Sequence, residues 1–165
     1  MRVVRVHGEK DWPQWVAVRE AGLADTSDYT PPIAPDWAQL SLQQWRDMLN
    51  DPDALKVLIL DDDRPVGVVR GVRDGTWALL HSLWVAPDLR GRGLAGQLVE
   101  AVEQWAHEWG ARYVMLSVGP DNEPALTLYR RYGFVEAGIP GHCRADGVRE
   151  VIYRLDLQDR TPPSS

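Results

Sequence analysis

The stretch LWVAPDLRGRGLAGQLV, residues 83–99, contains the pattern that decides how this chain folds. Its glycines match G-x-G-x-x-G, which is typical of dinucleotide-binding loops. Read from Arg90, the same stretch matches R-x-x-G-x-A, with Gly93 and Ala95 at the small positions. Both patterns predict a phosphate-binding loop, but they predict different cofactors, so the flanking sequence must distinguish them.

The loop has the composition of a phosphate site. Gly91 and Gly93 let backbone N–H groups approach an anion closely, and the helix predicted to begin at Leu94 directs its positive end to the same place. Arg90 and Arg92 add charged donors whose planar geometry suits a pyrophosphate. On these residues alone, a solvent-exposed basic turn whose glycines serve only geometry stays open as the alternative.

The position of the loop argues against dinucleotide binding. A Rossmann loop directly follows the first strand, and an acidic residue is expected about 20 residues beyond it. Here several strand-like segments precede the loop, and the next strand ends in LSVG without a carboxylate before Asp121. We therefore do not expect a nicotinamide or flavin cofactor.

The rest of the chain predicts a mixed α/β domain around one sheet. Apolar segments predict strands, and DDDR and RDG connect three of them as the hairpins of an antiparallel meander. Apolar residues at helical spacing, preceded by capping residues, predict the helices. In chain order we predict strands at 2–6, 54–60, 64–72, 76–85, 111–118, 134–138 and 149–157, and helices from Asp11, from Ser41, over 94–109 and from Asn122 to Gly133.

Composition limits the functional class. The chain has 165 residues, a net charge of −6 and a single cysteine, Cys143, which by itself forms neither an internal disulfide nor a metal site. The negative charge gives little support for nucleic-acid binding. The N-terminus has no signal-peptide pattern and no apolar run reaches membrane-spanning length, so we expect a cytoplasmic protein that binds neither nucleic acid nor membrane.

Two motifs carry a resemblance to a known family. The stretch 83–99 resembles the central motif of the GCN5-related N-acetyltransferases (GNAT), a strand ending in V-x-P followed by [Q/R]-x-x-G-x-[G/A] at the start of a long helix. Downstream, NEPALTLYRRYGF (122–134) is similar to the family's N-x-x-A-x-x-L-Y-x-x-x-G-F. The resemblance implies a GNAT-like single domain, with a mixed, mostly antiparallel twisted sheet of about six to seven strands, about four helices, and two strands that splay apart at the cofactor cleft.

The resemblance also divides the chain. It implies one acetyltransferase domain over 1–157, in which 1–53 are variable helices on the acceptor side and 54–157 form the acetyl-CoA-binding core. The residues 158–165, QDRTPPSS, are predicted to be a disordered tail.

The implied co-substrate is acetyl-CoA, and no metal is expected. By similarity, the strands ending at Val85 and Val118 splay apart, and the pantetheine arm pairs with the exposed backbone as a peptide pairs with an edge strand. The loop then holds the pyrophosphate, and the second motif contacts the cofactor arm. The cofactor-binding residues implied are Leu83, Trp84, Val85, Arg90, Gly91, Arg92, Gly93, Leu94, Ala95, Asn122 and Tyr129.

Two side chains are candidates for catalysis. Tyr129 resembles the family's general acid, since a phenol of pKa near 10 stays protonated at neutral pH; without the motif it would be read as a core aromatic. His81 is the candidate base, because an imidazole suits proton transfer near neutrality and some arylalkylamine-acetylating members carry a histidine at this strand position. On a two-residue period His81 shares a face with Leu79, Leu83 and Val85, so a half-buried structural histidine is the alternative.

Other groups complete the expected chemistry. Glu136 or Glu150 could serve as the base through a water molecule, and a backbone N–H near Val85 is expected to hold the oxyanion. The aromatic residues of the first fifty positions could line an acceptor pocket or pack in the core: Trp12, Trp15, Tyr29, Trp37 and Trp45.

The sequence thus predicts an N-acetyltransferase that moves an acetyl group from acetyl-CoA to a primary amine by direct attack on the thioester. The acceptor is a small-molecule or peptide amine, and the protein is a monomer or a homodimer. The alternative is a non-catalytic GNAT-like sensor that binds CoA or another ligand. The identity of the acceptor is left open.

Overall fold

A computed structural model describes residues 1–25, 40–144, 146–158 and 160–163. Their strands form one seven-stranded sheet with the order β1-β2-β3-β4-β5-β7-β6. The elements are β1 Arg2–Arg5, α1 Trp12–Ala24, α2 Leu42–Asn50, β2 Leu55–Asp61, β3 Arg64–Asp74, β4 Trp77–Val85, α3 Leu94–Glu108, β5 Tyr113–Val118, α4 Glu123–Arg131, β6 Val135–Cys143 and β7 Arg149–Asp156. The predicted element order and fold class are confirmed.

The middle of the chain forms the predicted meander. Strand β2 pairs antiparallel with β3, and β3 with β4, while β1 adds an antiparallel strand outside β2. The β2 strand is buried almost throughout because helices cover both faces of the sheet.

Within the described residues, no helix is long and apolar enough to cross a membrane.

Helix α3 covers one face of the meander. Its Leu98, Val102 and Ala106 are fully buried. Trp105 lies over Gly71 of β3 so closely that a Cβ at Gly71 would be 2.7 Å from the indole ring. Gly71 therefore marks the face of the sheet that α3 occupies.

Helices α1 and α2 pack together through a pair of tryptophans. The rings of Trp15 and Trp45 stack with centroids 4.7 Å apart, and both side chains are completely buried. Each indole N–H donates to the backbone carbonyl of the other tryptophan at 3.2 Å. Trp15 and Trp45 are thus core residues and not an acceptor pocket; Tyr29 and Trp37, named with them, lie outside the described residues.

The two predicted N-caps of these helices behave differently. Ser41 accepts a hydrogen bond from Gln44 N at 3.1 Å, and Gln44 Oε1 accepts one from Ser41 N at 2.8 Å, so α2 begins with a complete capping box. Asp11 occupies the N-cap of α1, but its side chain makes no capping hydrogen bond there. The Asp11 prediction is correct in position and wrong in mechanism.

Strands β4 and β5 are parallel and separate along their length. Of the described residues in these two strands, Trp77, Ala78 and Leu79 pair with Tyr113, Val114 and Met115. On its other side, β5 continues to pair with β7 as far as Val118. The opening therefore begins above Leu79 and Met115, which confirms the predicted splayed strands.

The chain after β7 remains in contact with the domain. Arg160, inside the segment predicted as a disordered tail, forms an ion pair with the buried carboxylate of Glu103 on α3. Its backbone N–H also donates to Leu157 O at 3.4 Å. A buried carboxylate that finds its counter-ion in this segment ties at least Arg160 to the core.

Candidate active site

The opening between β4 and β5 exposes backbone groups of β4. Ala86 N donates to Val66 O of β3 at 2.8 Å. Because neighbouring residues in an antiparallel ladder point their N–H and C=O groups to opposite sides, the peptide groups of Val85 point away from β3 and into the opening. The Val85 N–H therefore faces the opening, while the Val85 carbonyl accepts a hydrogen bond from Arg90 Nε at 3.0 Å.

A β-bulge in β4 decides which side chains face the acceptor-side helices. Arg70 pairs with His81 and Val68 with Trp84. A step of two residues along β3 therefore corresponds to a step of three residues along β4. Ser82, inside the bulge, has φ of 67°. His81 and Trp84 consequently share a face.

The bulge corrects the face predicted for His81. Leu79, paired with Val72, shares the face of His81 as expected, but Val85, paired with Gly67, and Leu83 lie on the opposite face. The strict two-residue period fails because the bulge inserts one extra residue between His81 and Trp84.

The phosphate loop leads directly into α3. Gly93 is the N-cap and has φ of 81°, a left-handed conformation that glycine adopts without strain. The first hydrogen bond of the helix runs from Gln97 N to Gly93 O at 3.2 Å. The N–H groups of Leu94, Ala95 and Gly96 come before it, in the first turn, where helix N–H groups have no partner within the helix. Together with the helix dipole, these N–H groups form an anion-binding end.

Arg90 is anchored inside the protein. Its Nε donates to Val85 O at 3.0 Å, and its Nη2 pairs with Asp25 Oδ2 at 2.7 Å. The same Asp25 oxygen accepts the indole N–H of Trp84 at 3.0 Å, and the Asp25 side chain is only 1% exposed. Arg90 therefore shapes the loop from within, whereas Arg92 is the exposed arginine of the loop.

Asp25 is a site residue that sequence reasoning missed. It ends α1, 65 residues before Arg90, and nothing in the local pattern around it indicates a partner on the loop. One indication was available in the sequence. An aspartate at the C-terminal end of a helix interacts unfavourably with the helix dipole, so a compensating contact with a positive group is expected.

The second motif forms α4 and its N-terminus. Asn122 Oδ1 accepts from Ala125 N at 3.3 Å, so Asn122 is the N-cap, as predicted. Tyr129 is 3% exposed and its ring lies 5.7 Å from that of Phe134. The Tyr129 ring is thus packed like that of a core aromatic. The predicted role as a general acid depends on the hydroxyl group alone.

Tyr132 connects α4 to the start of α3. A Cβ at Gly96 would collide with the Tyr132 hydroxyl, so the third glycine of the G-x-G-x-x-G pattern gives close contact between the two helices. Burial, and next the Glu100 carboxylate, raise the pKa of Tyr132. Gly96 is therefore explained by packing, without a dinucleotide.

His81 lies on β4 two residues beyond Leu79, the last β4 residue paired with β5. His81 is an exposed residue, but the protein packed around the imidazole and, to a smaller extent, the neighbouring Arg70 guanidinium lower the pKa of His81 to about 4. His81 is therefore neutral at pH 7 and has an acceptor nitrogen for a proton.

The two carboxylates proposed as alternatives occupy different places. Glu150 directly precedes Val151, which pairs with Val118 at the carboxyl end of β5, and its side chain is half-buried. Glu136 is opposite Tyr153 in the outer strand pair and is exposed. Glu150 is thus the carboxylate nearer to the opening.

These features fit the expected acetyl-CoA. The arm of the co-substrate carries amide groups that can pair with the Val85 backbone, and its pyrophosphate matches the N-terminus of α3 at Gly93. The open left-handed turn at Gly91 and Gly93 leaves free space where a Cβ would project. The end of β4, the open turn at Gly91 and Gly93 and the N-terminus of α3 thus follow one another in the order that the arm and the pyrophosphate of acetyl-CoA require.

Comparison with known sequences finds similarity to acetyltransferases. The family model described as "Acetyltransferase (GNAT) family" matches residues 18–134. An uncharacterized N-acetyltransferase of Methanocaldococcus jannaschii is 41% identical over 62 residues, which are 38% of this chain and 27% of that protein, so the chain spans a minor part of this relative. An aminoglycoside N(6')-acetyltransferase type 1 of Acinetobacter genomosp. 13 is 26% identical over 129 residues, 72% of this chain and 88% of that protein.

Solved structures share the fold. A GNAT-family acetyltransferase of Streptococcus pneumoniae superposes with a TM-score of 0.75 at 18% identity, covering 94% of this chain and 99% of that one. The PaiA N-acetyltransferase of Thermoplasma acidophilum, solved in complex with coenzyme A, has a TM-score of 0.71 at 14% identity, with 94% and 99% covered. At these identities the likeness concerns the arrangement of helices and strands.

Proposed function

We propose that this chain, which belongs to the acetyltransferase (GNAT) family and is an acetyltransferase, transfers the acetyl group of acetyl-CoA to a primary amine. The observation that carries the proposal is the opening of β4 from β5 above Leu79 and Met115, directly beside the Gly93-capped end of α3. A strand with unpaired backbone next to a helix N-terminus suits a ligand that combines amides with a pyrophosphate. The coenzyme A bound to the Thermoplasma acidophilum protein of the same fold supports this choice.

Each part of the site has a binding role in the proposal. The segment Leu83, Trp84 and Val85 pairs with the pantetheine arm through those of its backbone groups that face the opening. The N–H groups from Gly91 to Ala95, with the Arg92 side chain, hold the pyrophosphate, and Arg90 fixes the loop through Asp25. Asn122 contacts the cofactor arm from the N-terminus of α4.

When bound, acetyl-CoA supplies a thioester that a neutral amine attacks directly. An alkyl amine with a pKa near 10.4 is mostly protonated at pH 7, so a proton acceptor accelerates the reaction. Neutral His81 accepts that proton, directly or through water, and Glu150 is the second candidate for the role. The N–H of Val85 stabilises the negative charge on the carbonyl oxygen, and the Tyr129 hydroxyl donates a proton to the departing sulfur.

The experiment is a thiol-release assay with acetyl-CoA across a library of amines, followed by mass measurement of the products. The proposal predicts amine-dependent release of CoA and a product heavier by one acetyl group. The unfolding temperature is measured alongside with each ligand. A rise with acetyl-CoA but no thiol release for any amine would instead identify a sensor. A rise with NAD(H) but not with CoA would contradict the cofactor assignment.

A further inference from the structure

Three basic side chains form a row across the meander. Lys56 of β2 is directly opposite Arg70 of β3, and Arg70 is directly opposite His81 of β4. Residues directly opposite in an antiparallel pair project to the same face of the sheet. We call Lys56, Arg70 and His81 the basic row.

The basic row faces α1 and α2. Gly71, the neighbour of Arg70, faces α3, and alternation along the strand places Arg70 on the other side. Lys56 Nζ donates to Asp51 O, immediately after α2, at 2.6 Å. The row therefore lies beneath the helices that the sequence assigns to the acceptor side.

Arg70 is half-buried and has no matching anion in the described part of the chain. Its Nε is buried and has no hydrogen-bond partner there, and Nη1 reaches Ser82 Oγ only at 3.5 Å, the long limit of a hydrogen bond. None of the salt bridges among the described residues includes Arg70. Burial lowers the pKa of Arg70 more than the distant Asp51 raises it.

Such an arrangement is unfavourable for folding alone. Like charges directly opposite on a sheet repel each other, and a guanidinium that is partly withdrawn from water is normally paired with a carboxylate. Lys56 is only 5% exposed, and burial lowers its pKa; Asp51 opposes this shift and Arg70 adds a smaller lowering effect. The fold holds a positive group ready for an anion that the described residues do not provide.

The row ends at the opening. His81 lies just above Leu79, where β4 leaves β5, and Arg70 touches Ser82 of the bulge beside it. The oxyanion site proposed at Val85 is opposite Gly67, three residues along β3 from Arg70. The backbone positions of Arg70 and of the proposed reaction centre are therefore about 10 Å apart along the sheet.

We infer that the basic row is a carboxylate subsite of the reaction centre, and that the acceptor is an amine that also carries a carboxylate, such as an amino acid. This inference rests on the proposed acetyl transfer. The planar guanidinium of Arg70 binds the carboxylate in a two-point contact, and Lys56 adds positive potential, while neutral His81 contributes no charge. The same row disfavours polycationic acceptors such as polyamines and aminoglycosides.

The first arm of the test compares acceptors that differ by one carboxylate: phenylalanine with phenethylamine, and lysine with cadaverine. Each is assayed with acetyl-CoA, and kcat/KM is normalised to the neutral fraction of the amine. We expect at least a tenfold preference for the carboxylate member. R70M removes the preference, R70K retains part of it, and R73M leaves it unchanged. Arg73 is the matched control because it lies on the same strand but stacks on Trp109 of α3.

The second arm asks whether the carboxylate enters on the acyl group instead. Succinyl-CoA is compared with butyryl-CoA, with phenethylamine as the acceptor. A preference for succinyl-CoA that R70M abolishes would assign the carboxylate to the acyl donor and keep the subsite. No preference in this arm, with a preference in the first, assigns it to the acceptor.

A third measurement needs no turnover. Calorimetry on the CoA-loaded protein compares the binding of N-acetylphenylalanine with N-acetylphenethylamine, and of N-succinyl- with N-butyrylphenethylamine. Tighter binding of the compound that carries the carboxylate, with this advantage lost in R70M, supports the subsite. It does so even if no amine is acetylated, because the absence of acetylation would refute only the proposed function. Equal or absent binding of all members, or an equal loss for both members of a pair in R70M, would overturn the subsite.

Discussion

The carboxylate of Asp25 and the guanidinium of Arg90 form a buried ion pair, with Oδ2 and Nη2 2.7 Å apart. The pair joins the last turn of α1 to the first residue of the phosphate loop. Since the same carboxylate oxygen holds the Trp84 indole, the acceptor-side helix and the strand that lines the opening share one anchor. The loop geometry therefore depends on a residue outside both motifs.

Replacing Asp25 with alanine removes the carboxylate that pairs with Arg90 and accepts the Trp84 indole N–H. Because breaking a mostly buried ion pair is strongly destabilising, we expect the free energy of unfolding to fall by about 3 kcal/mol in urea titrations. We also expect the KM for acetyl-CoA to rise more than kcat falls, since the loop loses its shape while the reacting groups remain. The double variant D25L/R90M, with two apolar side chains, recovers much of the stability. A D25A protein within about 0.5 kcal/mol of wild type would contradict the structural importance of the pair.

Gly93→Ala tests the left-handed turn at the helix N-terminus. With φ of 81°, an alanine costs about 1–2 kcal/mol and shifts the N–H groups that the proposal assigns to the pyrophosphate. We expect weaker binding of acetyl-CoA in calorimetry, by tenfold or more. Gly110→Ala is the matched control, because Gly110 follows the other end of α3 with φ of 78° and equally open space. Equal effects of both variants on acetyl-CoA affinity would remove the loop assignment.

Tyr129→Phe keeps the ring against Phe134 and removes the hydroxyl. If the hydroxyl donates the proton to sulfur, kcat falls by about 10²–10⁴-fold while acetyl-CoA affinity changes little. Tyr153→Phe is the control, since Tyr153 is also buried and its hydroxyl accepts from Arg130 at 3.2 Å, outside the site. A Tyr129→Phe enzyme with unchanged kcat would show that Tyr129 is a core aromatic and nothing more.

The pKa of His81 leads to a prediction about pH. With a folded pKa of about 4, the ring stays neutral from pH 8 to pH 5, and its NMR signal does not titrate in that range. The unfolded chain takes up this proton near pH 6.5, so the folded state loses stability as the pH falls from about 6.5 towards 4. His81→Gln identifies the signal and removes this part of the acid sensitivity. A His81 midpoint near 6.5 would contradict the environment described.

The sequence was sufficient for features with a local signature. Repeated spacing and turn residues predicted the meander, α3 and α4, and the capping preference of Ser41 predicted the start of α2 within one residue. The resemblance of 83–99 to the GNAT motif predicted the separation of β4 and β5. These features depend on residues that are neighbours along the chain.

Features that depend on distant residues could not be predicted. The bulge at Ser82 has no glycine or asparagine to mark its φ of 67°, so the faces of Leu83 and Val85 were misassigned. The Asp25–Arg90 pair joins residues 65 positions apart, and the stacking of Trp15 on Trp45 joins residues 30 positions apart. Composition alone does not distinguish a buried tryptophan from one that lines a pocket.

Hydrogen–deuterium exchange in the presence of acetyl-CoA tests the central claim, that the opening of β4 from β5 and the end of α3 bind this molecule. Peptides covering 83–86 and 91–97 are compared with and without saturating acetyl-CoA, with NAD as the control ligand. We expect slower exchange in both segments with acetyl-CoA and no change with NAD. Unchanged exchange in these segments while acetyl-CoA binds elsewhere, or equal protection by NAD, would contradict it.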